Sequence, residues 1–375
     1  MSTATVTPAA KKGGDEQSLK ALLLGNMRSY GIYLALVLVI VVFQILTGGR
    51  LLNPNNVVAL FQQNAYVLVA AIGMLMIIIA THIDLSVGSV VAFIGGVGAL
   101  AMKHGVPWWA AILLMIAIGL VIGAWHGFWV AFVTTLGGML IFRGLATVVA
   151  GESIPVSNAS FRAISKDYIP TIFVGPFALT ALIVGLAAIV LVVWSQLSKR
   201  AKAVRNGLPA QPMSFVVLKC VVAALAIGYV TYLLAMSGNA TQGGIPIVLV
   251  IIGVLVCVYY FVLNRMVFGR NVYAVGGNRK AAIASIITLS RLASASAQTG
   301  MEFEMDAIAA CFIGGTAVTG GIGTIPGAMV GALIMGVLNQ GLSIMGVDAA
   351  WVKTIKGLVV IAAVAYDLLS KKKKG

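Results

Sequence analysis

Ten long apolar runs separated by short polar stretches organise this chain. They fall at roughly 30–47, 57–80, 86–102, 107–133, 136–150, 169–197, 213–236, 245–268, 325–340 and 351–369. Most approach the ~20 residues that an α-helix needs to cross the hydrocarbon core of a bilayer. None alternates apolar and polar residues with the period of two that a membrane barrel strand requires, so the runs predict helices. A shorter run at 306–313 opens a glycine-rich stretch. The predicted fold class is all-α, a polytopic membrane helix bundle of about ten transmembrane helices plus a Gly-rich re-entrant segment. Residues 1–27 read as a polar, basic cytoplasmic tail, 28–370 as the transmembrane domain, and 371–375 as a basic cytoplasmic C-terminus. The first apolar run begins too far in and is too long for a cleavable signal.

Composition agrees with a lipid solvent. Of 375 residues 60% are hydrophobic and only 9% charged, too few charges to coat a soluble domain. The net charge of +15 would suggest nucleic acid in a soluble protein. Here the cations gather between apolar runs, at Lys11, Lys12, Lys20 and Arg28, at Lys199, Arg200, Lys202 and Arg205, at Arg265, Arg270, Arg279 and Lys280, and at Lys371–Lys374. Basic loops beside spans mark the cytoplasmic face and meet anionic membrane lipids, so no nucleic-acid partner is expected. Six spans from a cytoplasmic N-terminus return the chain to Lys199–Arg205, and two more return it to Arg265–Lys280. Beyond Lys280 the crossings must be even, and 325–340 and 351–369 supply two. Residues 306–320 are then expected to be a half-helix that dips in and returns, as irregular backbone does only where protein or water surrounds it. Cys220, Cys257 and Cys311 lie inside apolar stretches and read as packing residues, without a disulfide framework.

Two carboxylates stand out because an ionisable group at membrane depth is expensive. Asp84 lies in Thr81–Ser89 at the junction of two runs, with Ser86 and Gly88 beside it, and Asp306 opens the run at 306–313. Either could line a substrate pathway, carry a proton or cation as in an ion-coupled secondary transporter, or cap a helix N-terminus. The spacings Gly88-Ala92-Gly96, Gly119-Gly123-Gly127 and Gly323-Gly327-Gly331 put small residues on one helix face, which suits close helix crossing. Gly314, Gly315, Gly320 and Gly321 interrupt helix-forming sequence and suggest a hinge, a pore lining or a loop. His82, His104 and His126 are scattered without a metal-ligand spacing, and no phosphate-cradling Gly-x-x-x-x-Gly-Lys-Ser/Thr motif occurs. No metal, cofactor or catalytic group is therefore expected, and ATP, if used, must be bound by another chain.

At Thr81–Ser89 (THIDLSVGS), Tyr273–Ala282 (YAVGGNRKAA), Glu304–Gly315 (EMDAIAACFIGG) and Gly320–Gly327 (GGIGTIPG) the chain resembles a known family. It looks like the membrane permease of bacterial ABC importers for ribose, xylose, galactose and arabinose, most similar to xylose-type permeases through two extra helices around 198–212. The resemblance implies a transport subunit of the inner membrane, not an enzyme, with two permease copies forming the pathway. It also implies ATP-binding subunits on the cytoplasmic side and a periplasmic sugar-binding protein. By the same resemblance, Gly276, Gly277, Asn278, Arg279, Lys280, Ala281 and Ala282 form the loop and short helix that seat in the ATPase. Family members follow this loop with a full membrane helix, where only Ile283–Leu289 stand here. Seven residues reach about 10 Å of a roughly 30 Å core, so this segment is expected to be weakly anchored.

Overall fold

The computed structural model describes residues 27–128, 131–151, 153–208, 210–239, 242–267, 269, 281–296, 298–317 and 320–372. In lipid an unpaired backbone amide is costly, so an apolar run closes its hydrogen bonds within itself as a helix. The ten apolar runs are occupied by α1 (Met27–Leu46), α2 (Pro54–Ile79), α3 (Val87–Lys103), α4 (Trp108–Phe128), α5 (Ala131–Ala150), α7 (Leu179–Arg205), α8 (Met213–Ala235), α9 (Ile247–Arg265), α12 (Ile325–Ile344) and α13 (Ala349–Lys372). Three shorter helices join them: α6 (Ala159–Lys166), α10 (Ala281–Leu292) and α11 (Phe303–Ile313). Among the described residues, seven helices are long and apolar enough to cross a membrane: α2, α4, α5, α7, α8, α9 and α12.

Sequence reading misplaced one boundary. The run beginning at 169 opens not as helix but as a hairpin of β2 (Phe173–Val174) and β3 (Phe177–Ala178), because Gly175-Pro176 turn the chain. Two further short strands, β1 (Ile154–Pro155) and β4 (Ser294–Ala295), pair antiparallel.

The chain divides into two compact units. One holds Val184–Val230 with residues up to Gly31. Within it Gln211 fastens the turn between α7 and α8, accepting from Arg200 Nε through its carbonyl (3.2 Å) and from Lys219 Nζ through its side chain (3.1 Å). The other holds Ile32–Ile183 and Thr231–Gly375. Its axis is α2, which starts on Pro54 behind the Asn53 cap and is buried over 83% of its span, against 11% for α7. Helices α10, α11 and α12 pack on α2 around Ala71, Met74, Leu75 and Ile78.

Close approach there depends on glycine. A side chain at Gly331 would overlap the Ala310 carbonyl, and one at Gly327 the Gly314 carbonyl, so α12 lies backbone to backbone against α11. The 323–327–331 face is used as expected, whereas Gly127 of the 119–123–127 face sits in open space.

The stretch after α9 departs most from expectation. Where one half-helix was expected, at 306–320, two short helices stand, α10 and α11, each too short to span. The segment behind the loop is not weakly anchored either. From Ala284 to Ser290 it is buried against neighbouring helices, with the Ser165 hydroxyl of α6 bonded to the Ile287 carbonyl (3.0 Å) and to Ser290 Oγ (2.6 Å).

Gly331→Ala is expected to cost about 1–3 kcal/mol, since the obstacle is backbone that cannot rotate away. Gly357→Ala, inside α13 where nothing lies within contact distance, should instead raise stability by about 0.5–1 kcal/mol. Thermal unfolding of the two variants in detergent micelles checks the difference.

Candidate functional site

Asp306 is the fourth residue of α11 and is 2% exposed. The capping role that its sequence position suggested is not what it does. The helix starts three residues earlier, behind Glu302 in a left-handed conformation (φ 67°), and Asp306 turns away from the backbone. Its carboxylate accepts from the Tyr66 hydroxyl of α2 (2.7 Å) and pairs with Lys356 of α13 (3.0 Å). Tyr66 is the thirteenth of the 26 residues of α2, so the pair sits near mid-depth. One turn earlier on α13, Lys353 pairs with Glu302 (2.7 Å) at a more exposed position. Two ion pairs thus tie α13 to the start of α11. The Phe303 ring stacks on Tyr66 with centroids 3.6 Å apart, closing the apolar side of the cluster.

Beside this cluster lies a cavity of about 560 Å³, within the usual range for small-molecule sites. Its wall mixes apolar and polar side chains from α2, α10, α11, α12 and α13. Gln62, Gln63 and Tyr66 face Thr288 and Arg291 of α10, Asn339 and Ser343 of α12, and Lys353 and Lys356 of α13. Such a surface suits a small, uncharged, hydrogen-bonding solute rather than a lipid tail. Among the described residues no three His, Cys, Asp or Glu side chains converge as a metal site.

Asp84 belongs to a different arrangement. After α2 ends at Ile79 the chain turns through Thr81 in a left-handed conformation (φ 65°), and α3 starts at Val87. Gly88 meets the Gly300 carbonyl and Glu304, next to Phe303 and therefore near the level of Tyr66. Within the connection from α2 to α3 Asp84 is buried and accepts from the Ser86 amide (2.8 Å) and hydroxyl (2.6 Å), supplying partners that water cannot.

The four glycines of the 314–321 stretch are also backbone devices. Gly314 ends α11 and Gly315 (φ 84°) reverses it, with Thr316 N bonded to the Cys311 carbonyl and Gly315 N to the Phe312 carbonyl, both at 3.0 Å. Gly320 packs on Thr81, and Gly321 N donates to the Ile79 carbonyl (2.7 Å). None of them lines the cavity. Gly276–Lys280 lie outside the described residues, while Ala281 and Ala282 open α10 as expected.

Sequence reasoning found Asp306 and missed its setting. Tyr66, Thr288, Arg291 and Asn339 lie in small polar groups, Gln62-Gln63-Asn64 before Tyr66, Ser290 beside Arg291 and Gln340 beside Asn339, that interrupt apolar sequence, and that interruption was the available signal.

The comparisons with known proteins fit this architecture. A family described as branched-chain amino acid transport system / permease component matches residues 280–364, which carry α10, α11, α12 and most of α13. The chain is 32% identical to the xylose transport system permease protein of Escherichia coli, covering 97% of each. The chain belongs to this permease family. It is a multi-pass membrane protein and a transport subunit, not an enzyme. The D-allose transport system permease protein of Escherichia coli is 27% identical over 92% of each chain, and the ribose import permease protein of the same organism 28% identical over 84% of this chain and 85% of its own. The alignment with the xylose relative runs over 396 positions against 375 residues here, so that relative carries residues that this permease lacks. No solved structure matches.

Removing one member of a buried ion pair strands the other, at a cost of about 3–5 kcal/mol, whereas removing both restores neutrality. Lys356→Met and Asp306→Asn should each lower the unfolding temperature of the purified permease strongly. The double variant should recover most of that loss, and a loss equal to the sum of the two would contradict the coupling.

Proposed function

We propose that this chain is the permease of an ATP-binding-cassette importer that carries a monosaccharide, with a xylose-type pentose favoured, across the bacterial inner membrane. The observation that carries this reading is the cavity beside Tyr66, which presents Gln62, Gln63, Thr288, Arg291 and Asn339 alongside a helix that is buried over most of its length. The names of the relatives point to sugars of that size. Transport proceeds by alternating access, with the free energy supplied by ATP-binding subunits. A sugar-binding protein on the outer face delivers substrate, and a second copy of the permease completes the pathway.

In this reading Asp306 belongs to the pathway wall directly. Asp84, Ser86, Gly88, Gly314, Gly315, Gly320 and Gly321 serve it through the backbone that they hold open at membrane depth. Gly276, Gly277, Asn278, Arg279, Lys280, Ala281 and Ala282 form the ATPase-coupling loop. The topology is ten crossings with α10 and α11 as a re-entrant pair, both termini in the cytoplasm, a tail at 1–27, the transmembrane domain at 28–370 and a basic end at 371–375. An ion-coupled carrier built on Asp306 is disfavoured, because Lys356 already neutralises that carboxylate. One built on Asp84 is disfavoured by the two hydrogen bonds that commit it to Ser86.

Reconstitution of the permease with its ATP-binding subunits and binding protein tests the reading. ATP hydrolysis and uptake should be stimulated by a pentose such as D-xylose and be insensitive to a protonophore. Uptake abolished by the protonophore, with ATP present, would establish the ion-coupled alternative instead. Single cysteines at positions 5 and 373 should resist an impermeant thiol reagent added outside intact cells, and labelling of either would overturn the topology.

A further inference from the structure

Three polar groups on the cavity wall lack hydrogen-bond partners among the described residues. Lys353 and Lys356 are matched to Glu302 and Asp306, but Arg291 has neither a hydrogen bond nor an ion pair among the described residues. One turn before it on α10, Thr288 is 4% exposed and its hydroxyl oxygen is buried without a partner. Across the cavity on α12, Asn339 carries a buried Oδ1 that accepts nothing. The orientation of that amide follows from its neighbours. Asn64 Nδ2 donates to the Leu60 carbonyl (2.9 Å), so Asn64 Oδ1 accepts from Asn339 Nδ2 (3.1 Å), and Asn339 Oδ1 is the atom left over.

Buried polar atoms are rarely left unpaired without reason. This set holds a charged donor fork, an amide acceptor and a hydroxyl that both donates and accepts. An anion without hydroxyl groups would satisfy Arg291 and leave the Asn339 oxygen unmet, while a cation would be repelled by Arg291. Hydroxyl groups donate and accept, so a neutral molecule bearing several of them answers all three. Resting on the transport reading above, we propose that Thr288, Arg291 and Asn339 form the sugar-binding wall of the cavity, each pairing with hydroxyl groups of a polyhydroxyl substrate.

Thr288→Val and Arg291→Gln test this in the full-length permease. Thr288→Val removes an oxygen that is unpaired without sugar, so its unfolding temperature should equal or exceed that of the wild type. Millimolar D-xylose should raise the unfolding temperature of the wild type. The sugar concentration needed should rise about 5-fold in Thr288→Val and about 10-fold or more in Arg291→Gln, the larger loss reflecting a charged donor. A lower unfolding temperature for Thr288→Val without sugar would mark a structural hydroxyl and overturn the inference. So would an unchanged D-xylose response in both variants. No response in the wild type, while the assembled importer takes up D-xylose, would overturn the inference alone. Failure of the assembled importer to take up any sugar would overturn the transport reading beneath it.

Discussion

Every backbone amide held at membrane depth must find its partner inside the protein, and the fold of this permease depends on how that demand is met where the chain is not helical. Long helices meet it automatically. The connection from Thr81 to Ser86 and the breaks around α10 and α11 do not. Asp84 stands in for water at the first of these, holding the Ser86 amide and hydroxyl. The Ile79 carbonyl, freed by the end of α2, is taken by Gly321. This irregular backbone is thereby laid against the buried helix α2, with Asp84 and Ser86 enclosed by protein.

Glycine makes that arrangement sterically possible. Without side chains at Gly327 and Gly331, α12 lies directly on the backbone of α11. Without one at Gly88, the start of α3 meets the turn at Gly300. Close contact of this kind substitutes for the hydrophobic effect, which gives little drive to helix association when the solvent is itself apolar. It also fixes the half-helices closely enough for α11 to present Asp306 to Tyr66 and Lys356. The ion pair and the glycine packing reinforce each other, since a buried pair is tolerable only in well-fixed geometry.

A mid-depth cavity with polar groups in its wall follows from the same breaks. A continuous helix in place of α10 and α11 would carry its polar groups past the level of Tyr66. Two half-helices bring Thr288 and Arg291 from one, and the Glu302–Phe303 turn from the other, to a single level of the bundle. Discontinuous helices at the membrane centre are a general way to expose polar groups to a small solute without exposing backbone to lipid. Here the charges on the wall are largely matched, which suits a neutral cargo.

The sequence by itself determined the spans and their basic flanks. Apolar runs of this length have one backbone solution in lipid, and Lys and Arg placed in the loops between them are a local signal that needs no tertiary information. It also marked Asp306 and the Gly327–Gly331 face, since a carboxylate and paired small residues inside apolar sequence are unusual wherever they fold. It misjudged what tertiary contacts alone decide. Ile283–Leu289 looked like an unanchored stub because its length was weighed against a bilayer, whereas the structure buries it in protein, where a half-span suffices. Asp306 looked like a cap because its partners, Tyr66 at 240 residues' separation and Lys356 at 50, leave no mark on the local pattern. The cavity was invisible for the same reason. The polar residues of its wall stand on α2, α10, α12 and α13, and only the packing of those helices brings them to one depth.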